Sequence, residues 1–214
     1  GGVGMNPHWG TPINPWDEKN HRVPGGSSSG AGVSLCTGTA ALALGTDTAG
    51  SVRIPASVTG NVGLKTTKNR WSTRGIVPLS SSFDTPGILT HTVEDCIYAF
   101  KELDKISLYH KNDKALSINS DIDFTFTTYD WFFDKCDDLI NADIDNAIKK
   151  IEKNNKYKEV SSLREIDGSH VLFTKGGLAA AEFASFMNGE MQEFKATLDP
   201  NVAFRHLIQM SPFV

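Results

Sequence analysis

Two glycine-rich loops, each carrying serine, are the part of this sequence best suited to chemistry. The first loop reads Gly25-Gly26-Ser27-Ser28-Ser29-Gly30, and the second contains Thr48-Ala49-Gly50-Ser51. Glycine loses more conformational freedom on folding than any other residue, so ordering such loops lowers the stability of a fold. Their presence is therefore explained better by a function than by stability. They indicate a site at which backbone N–H groups approach a ligand closely.

Ser51 is the candidate nucleophile of this site. It follows a turn of small residues whose successive N–H groups could converge on one point. Acyl transfer needs a nucleophile beside donors that are aimed at the developing oxyanion, and such a turn supplies both. The alternative is an ordinary glycine turn with a surface serine. The second serine-rich loop weakens that alternative.

Three other functions of glycine-rich loops fail on spacing. A Walker-type phosphate loop fits Gly25 and Gly30, but Ala31 stands where lysine is required. No G-x-G-x-x-G triplet of a dinucleotide-binding fold occurs in these loops. A nucleophile elbow at Ser51 would need that serine within G-x-S-x-G, but Ser51 is followed by Val52 and Arg53.

The loops resemble the signature block of the amidase signature family of serine hydrolases. The resemblance extends over residues 6–100, and the later segment Ala180-Ala181-Glu182-Phe183 is a weaker match. The matching motifs are Gly10-Thr11-x-x-Asn14-Pro15, Gly25-Gly26-Ser27-Ser28-Ser29-Gly30, Gly45-Thr46-Asp47-Thr48-x-Gly50-Ser51-x-Arg53-x-Pro55, Gly60-x-x-Gly63-x-Lys65, Gly75-x-x-Pro78-x-x-x-Ser82-x-Asp84-x-x-Gly87 and Thr92-Val93-x-Asp95.

This resemblance implies a Ser-Ser-Lys hydrolase. Ser51 would be the acylating nucleophile, and Ser27, usually preceded by a cis peptide bond in this family, would pass protons between Ser51 and a lysine. A lysine can act as that base only if burial or its neighbours lower its pKa. The resemblance further implies oxyanion or substrate binding by Thr48, Ala49, Gly50 and Ser28, and structural support from Asp47 and Arg53.

The sequence departs from the family at the lysine. The family's catalytic lysine lies well upstream of the first loop, but the only lysine before Ser27 is Lys19, in a segment typical of the solvated surface. Lys65 lies in a segment that the family treats as structural. We therefore expect an internal piece of an amidase that is inactive as it stands. Ala49 also replaces a common glycine, which is tolerable only at a negative φ.

Composition limits the other possibilities. The chain has 214 residues, 39% of them hydrophobic, and a net charge of −4, which argues against binding to nucleic acid or an anionic membrane. No stretch is long and apolar enough to span a bilayer. Three widely spaced cysteines indicate reduced thiols and a cytoplasmic protein. The histidines form no HxH or HxxxH pair, so we expect no metal, and we expect no cofactor.

The predicted elements place these loops in an α/β protein. Helices are expected at 33–43, from the N-cap Thr92 onwards, at 138–153 and at 177–194, with a strand at 123–128. The resemblance implies an α/β/α sandwich with a mixed central sheet, incomplete in this chain. Residues 1–214 would form one partial amidase domain, with the signature region at 1–104 and a peripheral part at 105–214.

The function predicted is hydrolysis of the C–N bond of a small carboxamide through an acyl-Ser51 intermediate. One alternative is the amidase-like subunit of a glutamine-dependent aminoacyl-tRNA amidotransferase. Another is a non-catalytic fragment that keeps only the fold. A small-molecule amide is the expected partner, without direct contact with nucleic acid or membrane, and a homodimer is left open.

Overall fold

The computed structural model describes residues 3–106, 125–129, 136–153, 156–157, 164–174, 177–194 and 197–200. The chain divides into two compact units, residues 1–115 with 176–214, and residues 116–175. The helices are α1 (Ser29–Cys36), α2 (Arg53–Thr59), α3 (Val93–Ile106), α4 (Asp138–Glu152), α5 (Arg164–Thr174), α6 (Gly177–Met187) and α7 (Met191–Phe194). The strands are β1 (Leu42–Asp47), β2 (Val62–Lys65), β3 (Thr85–Thr90), β4 (Thr125–Phe126) and β5 (Lys156–Tyr157).

The first unit contains a sheet in the order β1-β3-β2, with both pairs antiparallel. The central strand β3 is almost entirely buried. Its register places Asp47 opposite Thr85, Gly45 opposite Gly87 and Leu64 opposite Ile88. The carboxyl end of β1 and the amino end of β3 therefore meet at the same edge of the sheet.

Helices cover both faces of this sheet. Side chains alternate between the faces of a strand, and on one face Leu89 packs with Leu35 of α1 and with Val52 and Ala56 at α2. On the other face Ile88 packs with Trp71 and with Cys96 and Ala99 of α3. The structure thus confirms the α/β class, and the three described strands of the central sheet are antiparallel.

The predicted start of α3 is confirmed. The Thr92 hydroxyl accepts a hydrogen bond from the Asp95 N–H at 3.0 Å and donates one to the Asp95 carboxylate at 2.8 Å. This side-chain cap satisfies an N–H group that has no partner within the helix.

The predicted helix at 33–43 is confirmed only at 33–36, the last residues of α1, and is wrong beyond them. The helix ends at Cys36 because Gly38 takes a left-handed conformation, with φ of +71°, and the Thr37 and Thr39 hydroxyls donate to the carbonyls of Val33 and Ser34. The chain then extends as β1, whose backbone pairs with β3. Pairing with a distant strand outweighs the helix propensity of the alanines and leucines in this segment.

The predicted helix at 177–194 is also not continuous. It is divided into α6 and α7 by a turn at 188–190 that contains Gly189. Glycine in a helix interior costs about 1 kcal/mol relative to alanine, which favours a break there.

The second unit contains β4, α4, β5 and α5. The predicted helix at 138–153 is confirmed as α4, and the Asp137 carboxylate caps it by accepting the Leu139 N–H at 3.0 Å. The predicted strand at 123–128 includes β4, which pairs in parallel with β5, while residues 123 and 124 lie outside the described residues. None of the helices in the described part of the chain has the length and apolarity of a bilayer span.

Candidate active site

The two glycine-rich loops meet at the start of two helices. The Ser27 loop leads into α1, and the Ser51 turn joins β1 to α2. The Ser28 N–H donates to the Ser51 carbonyl at 3.1 Å, and the Ser28 hydroxyl donates to the Thr46 carbonyl at 3.5 Å. The peptide bond between Gly26 and Ser27 is cis. The fold therefore joins the loops that the sequence singles out.

Ser27 is exposed and Ser51 is half-buried. Within the described part of the chain, neither hydroxyl makes a hydrogen bond. The structure therefore joins the backbones of the two loops but not the two hydroxyls.

The Ser51 turn is built on the carboxylate of Asp47, which is fully buried. This carboxylate accepts the N–H of Gly50 at 2.6 Å and the N–H of Val52 at 3.1 Å. The guanidinium of Arg53 binds both of its oxygens, each at 3.0 Å. Such bidentate, charge-assisted bonds are the strong ones in proteins. The backbone on both sides of Ser51 is thereby tied to one charged group.

Burial alone would raise the pKa of Asp47, but the other contacts outweigh it. The hydrogen bonds and charge of Arg53 and the N–H groups of Gly50 and Val52 together hold the pKa of this carboxyl below its ordinary value. Asp47 is therefore ionised at neutral pH.

The turn rests on the sheet where two glycines face each other. A Cβ atom on Gly45 would lie 3.0 Å from Val52 Cγ2 and 2.5 Å from Ser28 Oγ, and one on Gly87 would lie 3.0 Å from Val52 Cγ2. Side chains at these positions would displace both the residue after Ser51 and the Ser28 loop. The glycine pair thus permits the close approach of both loops to the sheet.

The backbone of the turn accommodates the residues predicted to bind an oxyanion. Gly50 has a φ of +119°, whereas among described non-glycine residues a positive φ occurs only at Asn69, so Ala49 is not strained in this way. The Gly50 N–H is directed to Asp47. The N–H groups of Thr48, Ala49 and Ser51 have no acceptor among the described residues.

Asp84 lies within a matched motif, but no role for it was predicted from the sequence. The structure places its carboxylate against the turn, where it accepts the Thr48 hydroxyl at 2.5 Å. The motif Ser82-x-Asp84 was the only signal, because the contact joins residues far apart in sequence.

Among the described residues, neither Lys19 nor Lys65 makes a hydrogen bond to Ser27 or Ser51. Lys19 is exposed, and its backbone N–H donates to the Asp17 carboxylate at 3.2 Å. The Lys65 amine donates to the carbonyl of Thr66 at 2.9 Å.

Known proteins place the chain among amidases. A family model described as Amidase matches residues 1–194. The chain is similar to 2-amino-5-chloromuconic acid deaminase of Comamonas testosteroni, with 47% identity over 205 residues that cover 96% of this chain and 44% of the relative. It is also similar to a glutamyl-tRNA(Gln) amidotransferase subunit of Orientia tsutsugamushi (strain Boryong), with 38% identity over 125 residues, or 57% of this chain and 25% of the relative.

A solved structure described as the crystal structure of an amidase has a TM-score of 0.82 and 27% identity, over 97% of this chain and 45% of that one. The chain thus spans less than half the length of these relatives. The chain belongs to the amidase family.

Proposed function

We propose that this chain carries the nucleophile and the oxyanion-binding turn of an amidase that hydrolyses the C–N bond of a small carboxamide. The observation that carries the proposal is the anchored Ser51 turn. The Asp47 carboxylate accepts the N–H groups of Gly50 and Val52, on either side of Ser51, and the Ser28 N–H donates to the Ser51 carbonyl. A nucleophile held in this way meets the carbonyl carbon of a substrate without first reorganising its loop.

The proposed reaction has two halves. The Ser51 oxygen attacks the amide carbon, its proton passes through Ser27 to a base, and the proton is then delivered to the departing nitrogen. In the second half the base takes a proton from water as the water oxygen attacks the acyl-Ser51 ester. The bond between Ser51 Oγ and the acyl carbon then breaks, the proton returns through Ser27 to Ser51, and the carboxylic acid leaves. We propose that the base is a lysine outside residues 1–214, so that the complete protein is active and these residues alone are not.

We propose that the oxyanion is bound by backbone N–H groups of Thr48, Ala49 and Ser51. The Gly50 N–H, predicted from the family resemblance to belong to this set, already donates to Asp47 at 2.6 Å. In this arrangement Gly50 shapes the turn, while its neighbours face the reacting carbonyl.

A second candidate follows from the relative named as a deaminase of 2-amino-5-chloromuconic acid, which shares 47% identity over nearly the whole chain. In that reaction water would add to the imine tautomer of an amino-substituted unsaturated dicarboxylic acid, and the C–N bond would break to give a 2-oxo acid and ammonia without an acyl-Ser51 intermediate. A direct comparison of turnover with simple carboxamides and with 2-aminomuconic acids separates the two candidates. An amidotransferase subunit would instead release ammonia from glutamine only beside a partner protein.

The test uses the complete protein product of the gene that encodes these residues, together with the 214-residue chain. Each is incubated with a fluorophosphonate, and its intact mass and modified peptide are determined. We expect one adduct on Ser51 of the complete protein, none in Ser51→Ala, and slow labelling in Ser27→Ala.

The matched control is Ser57→Ala, because Ser57 is an exposed serine on α2. We expect this variant to react and turn over substrate like the wild-type protein. Labelling or amide turnover that survives in Ser51→Ala would place the nucleophile elsewhere and overturn the proposal.

A further inference from the structure

A hydrogen bond at the end of the β1–β3 ladder connects the Ser51 turn to a second loop. The antiparallel register ends with Asp47 opposite Thr85, so Thr48 and Asp84 are the next residues to face each other. The Thr48 hydroxyl donates to Asp84 Oδ1 at 2.5 Å, and Asp84 is only 7% exposed. Thr48 is therefore held by its side chain as well as by the strand that precedes it.

The other carboxylate oxygen of Asp84 organises its own loop. Asp84 Oδ2 accepts the N–H of Leu79 at 2.8 Å and the N–H of Ser80 at 2.9 Å. One buried carboxylate thus binds the loop at 79–84 with one oxygen and the Ser51 turn with the other. A hydroxyl or amide in its place could not accept all of these bonds at once.

The loop at 79–84 is also held from outside. The Glu182 carboxylate on α6 accepts the Ser80 hydroxyl, the Ser82 N–H at 3.1 Å and the Ser82 hydroxyl at 2.5 Å. The Lys68 amine donates to the carbonyl of Asp84 at 2.9 Å. These bonds hold the loop from α6 and from Lys68, which belong to the same compact unit, so Asp84 has little freedom to follow Thr48 if the turn shifts.

We propose that Asp84 is a positioning residue for the oxyanion-binding turn, acting through the Thr48 hydroxyl, and that Glu182 holds the Asp84 loop in place. The inference rests on the proposed function. The Thr48 N–H is on the same residue as the hydroxyl that Asp84 holds, so fixing that side chain limits rotation of the donor. Oxyanion donors are effective only when they point at the developing charge before the reaction.

The test compares Thr48→Val and Asp84→Asn in the complete protein with the amide that it hydrolyses. Valine keeps the shape of threonine but lacks the hydroxyl. Complete loss of one oxyanion donor lowers kcat by roughly a hundredfold to a thousandfold. Thr48→Val keeps the N–H group of residue 48 but no longer fixes its orientation through the side chain. We therefore expect kcat to fall by about tenfold to a hundredfold, with KM changed less than about threefold.

Three further measurements distinguish positioning from general destabilisation. Thr48→Ser, which keeps the hydroxyl, recovers most of the lost kcat. Adding Asp84→Asn to Thr48→Val lowers kcat by a smaller factor than Asp84→Asn does in the wild-type protein, since the Thr48 bond is already lost. Thr92→Val is the matched control, because Thr92 also donates to an aspartate, Asp95, but on α3. We expect it to lower the melting temperature and leave kcat unchanged.

Glu182→Gln removes the charge that holds the loop, and we expect a smaller fall in kcat than for Thr48→Val. If Asp84→Asn does not fold, Thr48→Val still decides the question. An unchanged kcat in Thr48→Val, or equal losses of kcat in Thr48→Val and Thr92→Val, overturns the inference. If Ser51 of the wild-type protein is still labelled in that case, the proposed function is unaffected. Absence of Ser51 labelling in the complete wild-type protein overturns both.

Discussion

Replacing Arg53 with glutamine should destabilise the fold at neutral pH and much less in acid. Arg53 contributes both side-chain bonds to Asp47, each at 3.0 Å, and the carboxylate it binds has no exposure to water. Glutamine retains polarity but loses the positive charge and the fork of two N–H donors. The variant leaves a buried negative charge held only by backbone N–H groups.

The size of this effect follows from the unequal exposure of the two partners. Breaking a fully buried ion pair costs about 3–5 kcal/mol, whereas exposed pairs contribute about 0.2–1 kcal/mol. The Arg53 side chain is 53% exposed, so water screens one end of the pair while Asp47 remains dry. The backbone bonds to Asp47 also survive, and we therefore expect a loss of about 2–3 kcal/mol in the free energy of unfolding at pH 7.

The pH dependence follows from the lowered pKa of Asp47. A carboxyl whose pKa is lower in the folded state stabilises the fold above its unfolded value, about 3.9, and this stabilisation is lost as the pH falls through the folded value. Arg53 attracts only the ionised form. The difference between the wild-type protein and Arg53→Gln is therefore largest near neutral pH and decreases below about pH 4.

The assay is urea unfolding of both proteins, followed by circular dichroism at several pH values from 7 down to 3. Arg22→Gln is the matched control, since Arg22 binds Asp17 at the same 3.0 Å but its side chain is 68% exposed. We expect a change near the error of measurement for this control. Equal losses for the two arginines at pH 7, or a deficit for Arg53→Gln that grows in acid, would refute the reasoning.

Three further predictions concern other positions. For Glu182→Gln, the loss of melting temperature is largest above about pH 4.5 and disappears towards pH 2, because hydrogen bonds from serine lower the pKa of Glu182 from 4.5 to about 2. Gly50→Ala destabilises more than Gly10→Ala in urea unfolding; both glycines have positive φ, but a Cβ at Gly50 meets a side-chain carbon at 2.7 Å while Gly10 has open space. Cys96 reacts with iodoacetamide more slowly than the half-buried Cys36, because burial raises the pKa of its thiol; equal rates in peptide mapping would contradict this.

Local sequence signals predicted the elements whose stabilising contacts lie within a few residues. The Thr92 cap and the Asp95 it binds are three positions apart, so the start of α3 could be read directly. The spacing of the isoleucines between Ile140 and Ile151 likewise predicted α4, which the structure confirms. The cap needs only contacts within the first turn, and the isoleucine spacing follows the 3.6-residue period of a helix, so neither prediction requires the tertiary fold.

The strand β1 could not be predicted in the same way. Leu42 and Leu44 lie in a run of alanine, leucine and glycine that has no β-branched residues, which favours helix over strand. The segment is extended because β3 pairs with it along its whole length. Asn69 is a further residue whose conformation local sequence did not predict: its φ is +66°, in the left-handed region that asparagine tolerates better than most residues.

The candidate site also contains both local contacts, which the sequence can indicate, and contacts that depend on the tertiary fold. All contacts that Asp47 makes with the Ser51 turn are to residues within six positions, so the motif that identifies Ser51 also contains its support. The contact between Thr48 and Asp84 instead spans 36 positions. It exists because the antiparallel register brings the end of one strand beside the start of another. A motif can therefore point to the proposed nucleophile, whereas the group proposed to position its oxyanion donors becomes visible only when the strand register is known.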